Sequence, residues 1–251
     1  MHRIGLLAPM RELPGEFADV VAVAPEPTAL WQVIVEIADS HDPADLAVSA
    51  DPAVLRPAAE RLARWRPDAV AWGCTSASFA AGRGVAVEQR RTIERAAGAP
   101  ATSTSLAFVE ALGVLGLNDV ALLSPYPEPA TRAFVDFLAE WGIAVRRSRS
   151  LGYPTGAESD GLRAADVAAA VAELDGGVPV LVPDTAVWGF ELFAELGPRL
   201  DAPLLTANQV TLWHAFDLAG LSTNMEQFGA LRGLAAGGVT ETNAEPEEEG
   251  K

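Results

Sequence analysis

The 251-residue sequence predicts an α/β protein. The expected architecture is two pseudosymmetric halves, each a mostly parallel sheet flanked by helices, with an active site between them. Three observations point there. Short apolar runs alternate with longer stretches whose apolar residues recur at helical spacing. Such strand–helix alternation closes right-handed βαβ units. Segments of the first half return, in the same order, in the second. The composition, 49% hydrophobic and 21% charged, suits a chain long enough to bury a sizeable core.

In chain order, Arg3–Ala8 (RIGLLA) is a buried strand ended by Pro9, and Trp31–Ile37 is a second strand. Ala53–Trp65 has Leu55, Ala58, Ala59, Leu62 and Trp65 near one face of a helix. Asp68–Gly73 is a strand running into Cys74. Val85–Ala97 is a helix with one charged side, Ala101–Ser103 a short strand and Leu106–Leu115 a helix. The pattern then restarts. Asp119–Leu123 is a strand, and Ala130–Trp141 a helix that turns Phe134, Phe137, Leu138 and Trp141 inward. Ile143–Arg149 is a strand and Arg163–Leu174 an alanine-rich helix. Val178–Val182 (strand), Val187–Leu196 (helix), Leu204–Thr206 (strand) and Val210–Leu218 (helix) complete the series.

The repeat is weak at each site but ordered. RIGLLAPMRE from Arg3 aligns with DVALLSPYPE from Asp119, and VAWGCT from Val70 with VLVPDT from Val180. APATSTSLAFVEALGVLGL from Ala99 aligns with APLLTANQVTLWHAFDLAGL from Ala202, so the offsets are 116, 110 and 103. The division expected is 1–115 and 116–225, followed by a Gly-rich, then acidic tail over 229–251 that reads as disordered. In open α/β sheets ligands sit beyond the carboxyl ends of the strands. The repeat makes Cys74 equivalent to Asp184, Pro9 to Pro125 and Met10 to Tyr126. It therefore sets Cys74 and Asp184 facing each other across one cleft.

Charge narrows the partners. Thirty-four acidic against eighteen basic residues leave a net charge of −16. A nucleic-acid binder needs a basic stripe, and an anionic membrane surface needs a basic cluster. Neither is present. The segment Glu241–Lys251 contributes −4, so the rest of the chain still holds −12. One cysteine, Cys74, allows no internal disulfide and no cysteine-based zinc site. The N-terminal apolar run is too short for a signal-peptide core, and no stretch reaches the roughly 20 apolar residues of a membrane span. A cytoplasmic protein is expected.

The motif with most chemistry in it is Gly73-Cys74-Thr75-Ser76-Ala77-Ser78-Phe79. A thiol at a strand end, beside the amides that open a helix, is placed for thiolate stabilisation and carboxylate binding. Thr75 and Ser76 add hydroxyl donors for a developing oxyanion. The competing reading is an inert buried cysteine. Asp184-Thr185 ends the matching strand of the second half; Asp184 can serve a site or cap the next helix. Tyr126 follows Ser124-Pro125 at another strand end, where it can face a ligand or only a turn. Arg11 and Arg83 are candidate partners for a substrate carboxylate, or solvated surface residues.

Other chemistries lack a basis. His2, His41 and His214 do not have metal-ligand spacing, and His214 beside Trp213 reads as structural. There is no GxSxG elbow, Walker A loop or GxGxxG fingerprint. Neither a cofactor nor a metal is expected.

At Gly-Cys-Thr-Ser-Ala-Ser the sequence resembles the aspartate/glutamate racemase superfamily, in the branch of maleate cis-trans isomerases and arylmalonate decarboxylases. The resemblance covers about residues 3–219. It runs through the strand ending in Pro9, the Cys74 motif, Ser124-Pro125-Tyr126, Pro183-Asp184-Thr185 and Thr206-Ala207-Asn208-Gln209 with Trp213. It implies the two-half fold with an interdomain site, a homodimer or higher homo-oligomer, and cofactor-free chemistry next to a carboxylate between two facing residues, usually cysteines. Cys74 occupies the first position, while Asp184 stands at the second. The decarboxylase pattern, with its only catalytic cysteine at the second position, is not met. Isomerases show an Asn soon after the first strand's proline, where this chain has Met10-Arg11-Glu12.

The function implied is a cofactor-independent isomerase of a small, maleate-like dicarboxylate. Cys74 would be its nucleophile or base and Asp184 the opposing acid. Pro9, Arg11, Thr75, Ser76, Tyr126 and Thr185 would hold the substrate. The alternatives are an arylmalonate-type decarboxylase with apolar walls from Trp72, Phe79 and Trp188, an amino-acid or hydantoin racemase, and a non-catalytic dicarboxylate-binding accessory protein of a catabolic pathway.

Overall fold

In the computed structural model, residues 1–9 and 14–237 are described. They form two four-stranded parallel sheets of the same topology. The first holds β1 (His2–Pro9), β2 (Thr28–Val35), β3 (Ala69–Trp72) and β4 (Ala101–Ser103), in the order β2-β1-β3-β4. The second holds β5 (Asp119–Ser124), β6 (Ala144–Ser150), β7 (Val180–Val182) and β8 (Leu204–Thr206), in the order β6-β5-β7-β8. Each sheet thus switches direction beside its first strand. That leaves a crevice at the carboxyl ends of β1 and β3, and of β5 and β7.

Side-chain alternation along the strands divides the core. Ile4 and Leu6 of β1 and Leu122 of β5 belong to one large buried cluster, with Phe108, Phe134 and Phe216 from helices of both halves. Leu7 of β1 faces the other way, with Val33, Leu62 and Trp72. Leu123 of β5 does the same with Val167, Val182 and Leu192. Each sheet therefore has its own outer layer and shares the inner one. The helix Ala207–Leu218 strengthens the shared layer by packing on β3, β4 and the helix Thr104–Leu115. Thr211 and Thr104 join hydroxyls at 2.7 Å, and His214 Nδ1 meets Thr102 Oγ1 at 2.9 Å.

Several local expectations shift. The second strand begins at Thr28 rather than Trp31 and stops at Val35, because its pairing with β1 runs from His2↔Thr28 to Pro9↔Val35. The stretch 53–65 is a 3-10 turn, Pro52–Leu55, and a helix, Arg56–Ala63. Trp65 lies beyond it, 39% exposed, stacked on Trp31 at 6.2 Å. Trp141 turns inward as expected but only to the core's edge: it is half-buried against Phe137, and Arg83 covers its ring at 4.1 Å. Helices Glu16–Ala22 and Pro43–Ser49 were not anticipated. The second starts where the Asp42 side chain accepts the Ala44 N–H with Pro43 in the first turn, a strong start signal in a short segment.

The tail boundary moves as well. Residues 229–237, expected to be part of it, are packed. Leu231 is fully buried, the Leu234 carbonyl accepts from Trp213 Nε1 and Thr223 Oγ1, and Ala236 N–H donates to Asp217. Gly229 lies with φ 53° against Phe193, and a Cβ there would fall 2.4 Å from that ring. Only glycine fits. The acidic remainder, 238–251, lies outside the described residues.

Two outcomes follow for stability. Phe134 is buried against Phe79, Phe108 and Phe137. Phe134→Ala should destabilise by about 3–5 kcal/mol, and circular dichroism and tryptophan fluorescence should report one transition; two separate transitions would mean the inner layer is not shared. Burial, with the Arg90 charge second, lowers the His214 pKa to about 4 from an ordinary 6.5. Above pH 6.5 both folded and unfolded chains hold it neutral. As pH falls from 6.5 towards 4 only the unfolded chain takes the proton, so this residue's part of the stability is lost over that window. Denaturant unfolding of His214→Gln against wild type across the window should show the smaller acid loss in the variant.

Candidate active site

A cavity of about 200 Å³ opens where the strand ends of the two sheets converge. It is smaller than the roughly 300–1,000 Å³ of drug-sized sites and suits a small acid. Pro9, Cys74, Thr75 and Ser76 line it from the first half, and Tyr126, Asp184 and Thr185 from the second. Seven of the eight residues expected at the site are thus brought together. The eighth, Arg11, lies outside the described residues, as does Met10. Arg83 is not in the cavity wall: it is bound to Glu140 and stacked on Trp141. Of the three expected apolar walls, Trp188 lines the cavity. Trp72 is buried in the outer layer of the first sheet, and Phe79 packs behind Tyr126 at 5.7 Å.

Cys74 is extended (φ −138°, ψ 111°) and precedes the five-residue helix Thr75–Phe79. Its Sγ lies 3.7 Å from Ser76 Oγ and receives the Ala77 backbone N–H. Those donors favour a thiolate, yet the thiol is raised to about 11. Burial is the largest cause, and the Asp184 and Asp39 carboxylates add to it. The expectation of a thiolate stabilised by helix amides is therefore overturned. One short turn of amides does not offset full desolvation of the charge.

Asp184 is equally enclosed. Oδ2 accepts the Ser159 hydroxyl at 2.6 Å and Oδ1 the Ala186 N–H at 3.0 Å. Burial raises its pKa and outweighs these donors and the nearby His41. The Tyr126 hydroxyl donates to the Pro183 carbonyl, and burial together with the Asp184 charge holds it protonated well above an ordinary phenol. Thr185 Oγ1 donates to the Gly73 carbonyl at 2.9 Å. The hydroxyl protons of Tyr126 and Thr185 are thus committed to protein carbonyls and not to a ligand. Thr75 is different. Its hydroxyl is buried in the wall beside the Tyr126 hydroxyl and is not committed to a protein carbonyl.

The sequence reading missed one segment, 37–41, which follows β2 and closes the cavity. Asp39 accepts the Gly156 and Ala157 N–H groups, opening the short helix Gly156–Ser159 of the second half. His41 donates its backbone N–H to the Pro154 carbonyl and contacts the Tyr153 carbonyl through Nδ1 at 2.8 Å. Its ring meets Tyr126 edge-on at 4.6 Å. No periodic pattern marks this loop, and its hydrogen-bond partners in the second half lie more than a hundred residues away. Glu16 was also missed. It is buried, accepts from Asn208 Nδ2 and the Phe190 N–H, and so fixes the start of the helix Gly189–Leu196 next to Trp188. Among the described residues, no cluster of three or more His, Cys, Asp or Glu could hold a metal, and no helix is long and apolar enough to cross a membrane.

With this geometry in view, comparisons with known proteins agree with one another. Maleate isomerase of Geobacillus stearothermophilus is 24% identical over 174 residues, 66% of this chain and 69% of that protein. Arylmalonate decarboxylase of Bordetella bronchiseptica is 28% identical over 170 residues, 64% and 69%. The solved maleate cis-trans isomerase of Nocardia farcinica bound to TRIS superposes with a TM-score of 0.84 at 21% identity, over 92% of this chain and 97% of that one. A Cys-to-Ser mutant of the Nocardia enzyme, holding a covalently bound succinylcysteine intermediate, superposes at 0.78 and 19% identity, over 90% and 96%. These structures share the two-sheet fold. The family model described as arylmalonate decarboxylase matches residues 53–232, most of the chain, and the protein belongs to that family.

Proposed function

We propose that the protein is a cofactor-independent isomerase of a small, maleate-like cis-dicarboxylate, with Cys74 as nucleophile and Asp184 as its proton partner. The observation that carries this reading is one small cavity lined by the sole cysteine, a carboxyl of raised pKa and the Thr75 and Ser76 hydroxyls. Two maleate isomerases are among the similar proteins, and one relative has been trapped as a succinylcysteine.

The chemistry closes on these groups. Cys74 Sγ adds to one alkene carbon as its proton passes to the Asp184 carboxylate. Burial makes that carboxylate a stronger base than an exposed aspartate. Negative charge moves towards the carboxylate on the other alkene carbon, where the Thr75 and Ser76 hydroxyls can meet it. Asp184 then returns the proton to that carbon, giving a succinyl thioether. Its central bond is single and turns freely. Reversal of the steps expels Sγ, restores the thiol and leaves the trans alkene. Addition and elimination balance without a redox partner, so the reading needs no cofactor. It includes a cytoplasmic location and, as the resemblance implies, a homodimer or higher homo-oligomer.

A decarboxylase of substituted malonates is the second reading. The family match and the apolar face of Trp188 favour it. That reaction releases CO2 and needs one proton donor on one face, which Cys74 or Asp184 supplies.

Proton NMR of the protein with maleate should show fumarate, and Cys74→Ala should lower the rate at least about a thousandfold, as loss of a nucleophile does. Bicarbonate from phenylmalonate without any fumarate from maleate would favour the decarboxylase and sink the isomerase. Alkylation of the free enzyme gives a separate readout, because Cys74 is the only cysteine. Its rate with iodoacetamide should climb with pH through about 11, and Asp184→Asn, by removing a negative neighbour, should move that rise to lower pH. An unmoved profile would break the Cys74–Asp184 coupling.

A further inference from the structure

His41 is buried, lines the cavity and takes no part in the steps above. Its orientation follows from its bonds. A backbone carbonyl only accepts, so the 2.8 Å contact with the Tyr153 carbonyl places a proton on Nδ1. The backbone bond to Pro154 and the edge-on Tyr126 ring hold the imidazole in that pose. Nε2 then has no hydrogen-bond partner among the described residues. A proton added to this side chain can go only to Nε2, which becomes a charged N–H donor.

The cavity makes that charge matter. Its described wall includes Asp39, Asp160 and Asp184, and His41 is the one side chain there able to carry positive charge. All three carboxyls already receive protein donors: Asp39 from Gly156 and Ala157, Asp160 from Trp188 Nε1, Asp184 from Ser159 and Ala186. The Tyr126 and Thr185 hydroxyl protons are turned away to carbonyls. Thr75 and Ser76 can meet one carboxylate of a diacid beside Cys74, but neither offers a countercharge.

We propose that His41, as an imidazolium held by the Tyr153 carbonyl, binds the second carboxylate of the substrate and sets the preference for a dicarboxylate. The proposal rests on the reading of this cavity as the substrate site. It goes further in naming the group that distinguishes a diacid from a monoacid.

The test reads binding rather than turnover. Calorimetry on a Cys74→Ser protein compares maleate with its monoamide, maleamate, with His41 intact or changed to Gln or Phe. With His41 present, maleate should bind more tightly than maleamate. H41Q keeps a neutral donor of similar reach, so it should weaken maleate about 10- to 100-fold, the loss of one charged hydrogen bond, and erase the preference. H41F should do the same. Equal losses for the two ligands would assign His41 a merely structural role and overturn the proposal, as would unchanged maleate affinity. Absence of maleate binding with His41 intact would overturn both the proposal and the isomerase reading. His41-dependent preference in a protein that fails to turn over maleate would keep the proposal and reject only the isomerase. Cooperative unfolding of each variant, followed by circular dichroism, confirms that the compared proteins are folded.

Discussion

The site depends on a set of hydrogen bonds that tie the two halves together across the cavity rather than within either sheet. Thr185 reaches back to the Gly73 carbonyl, one residue before the thiol. Asp39 and His41, just past β2, are bound to residues 153–157 of the second half. Glu16 reaches Phe190 and Asn208. Parallel sheets place ligands beyond their strand ends, but two sheets joined only by an apolar layer could slide. Buried polar bonds have direction, and each is expensive to leave unmade in a dry interior. The shared aromatic layer supplies the driving force for docking. The polar ties fix how Cys74 and Asp184 come to line the same small space.

That enclosure sets the chemistry of the groups inside. Cys74, Asp184 and Tyr126 all have pKa values pushed upward, with burial the leading cause in each case. For the cysteine this opposes the local amides and wins. For the aspartate it opposes a serine hydroxyl, a backbone N–H and a nearby histidine, and wins again. A desolvated thiol and a desolvated carboxyl are poor ions but a workable proton-exchange pair. Moving one proton between them creates no additional buried charge. An exposed thiolate would be more reactive with any electrophile; a buried thiol coupled to an acid reacts only with what fits beside it.

Much of the sheet framework was legible. The strands Ala101–Ser103 and Leu204–Thr206 are read from sequence at their observed bounds, because each is a short run between a proline and a capped helix. The Cys74 and Asp184 loops were legible because a strand–turn–helix passage is written locally, and the repeat pairs them. The cross-cavity ties were not. Asp39 and Gly156, or Glu16 and Phe190, are brought together by docking of the halves, and no local pattern carries that information. His41 sits in an aperiodic loop and looks alone in the sequence. The thiol's titration was misjudged for a related reason. Helix amides can be read from sequence, but the burial that outweighs them arises only when Cys74 is packed in one cluster with Leu7, Val33 and Trp72, which lie far apart along the chain. Residues 229–237 resemble a Gly-rich tail in composition and become structure through distant partners, among them Phe193, Trp213, Thr223 and Asp217.

The net charge of −16 then acquires a local meaning. A strongly acidic protein gives a dianion no long-range attraction, so capture must come from groups the ligand touches. Within the cavity wall most donors are already used on the protein's own acceptors. Asp39 and Asp160 are held by backbone and indole N–H groups, and Tyr126 and Thr185 by carbonyls. This self-satisfaction allows three carboxyls to line so small a space without driving the halves apart. It also makes the site selective. Among the described residues, the side-chain groups not committed to a protein carbonyl or carboxylate are Thr75, Ser76 beside the thiol, and Nε2 of His41. A ligand has to match those few positions in geometry and charge, because the other polar side chains of the wall, among the described residues, are held by protein partners.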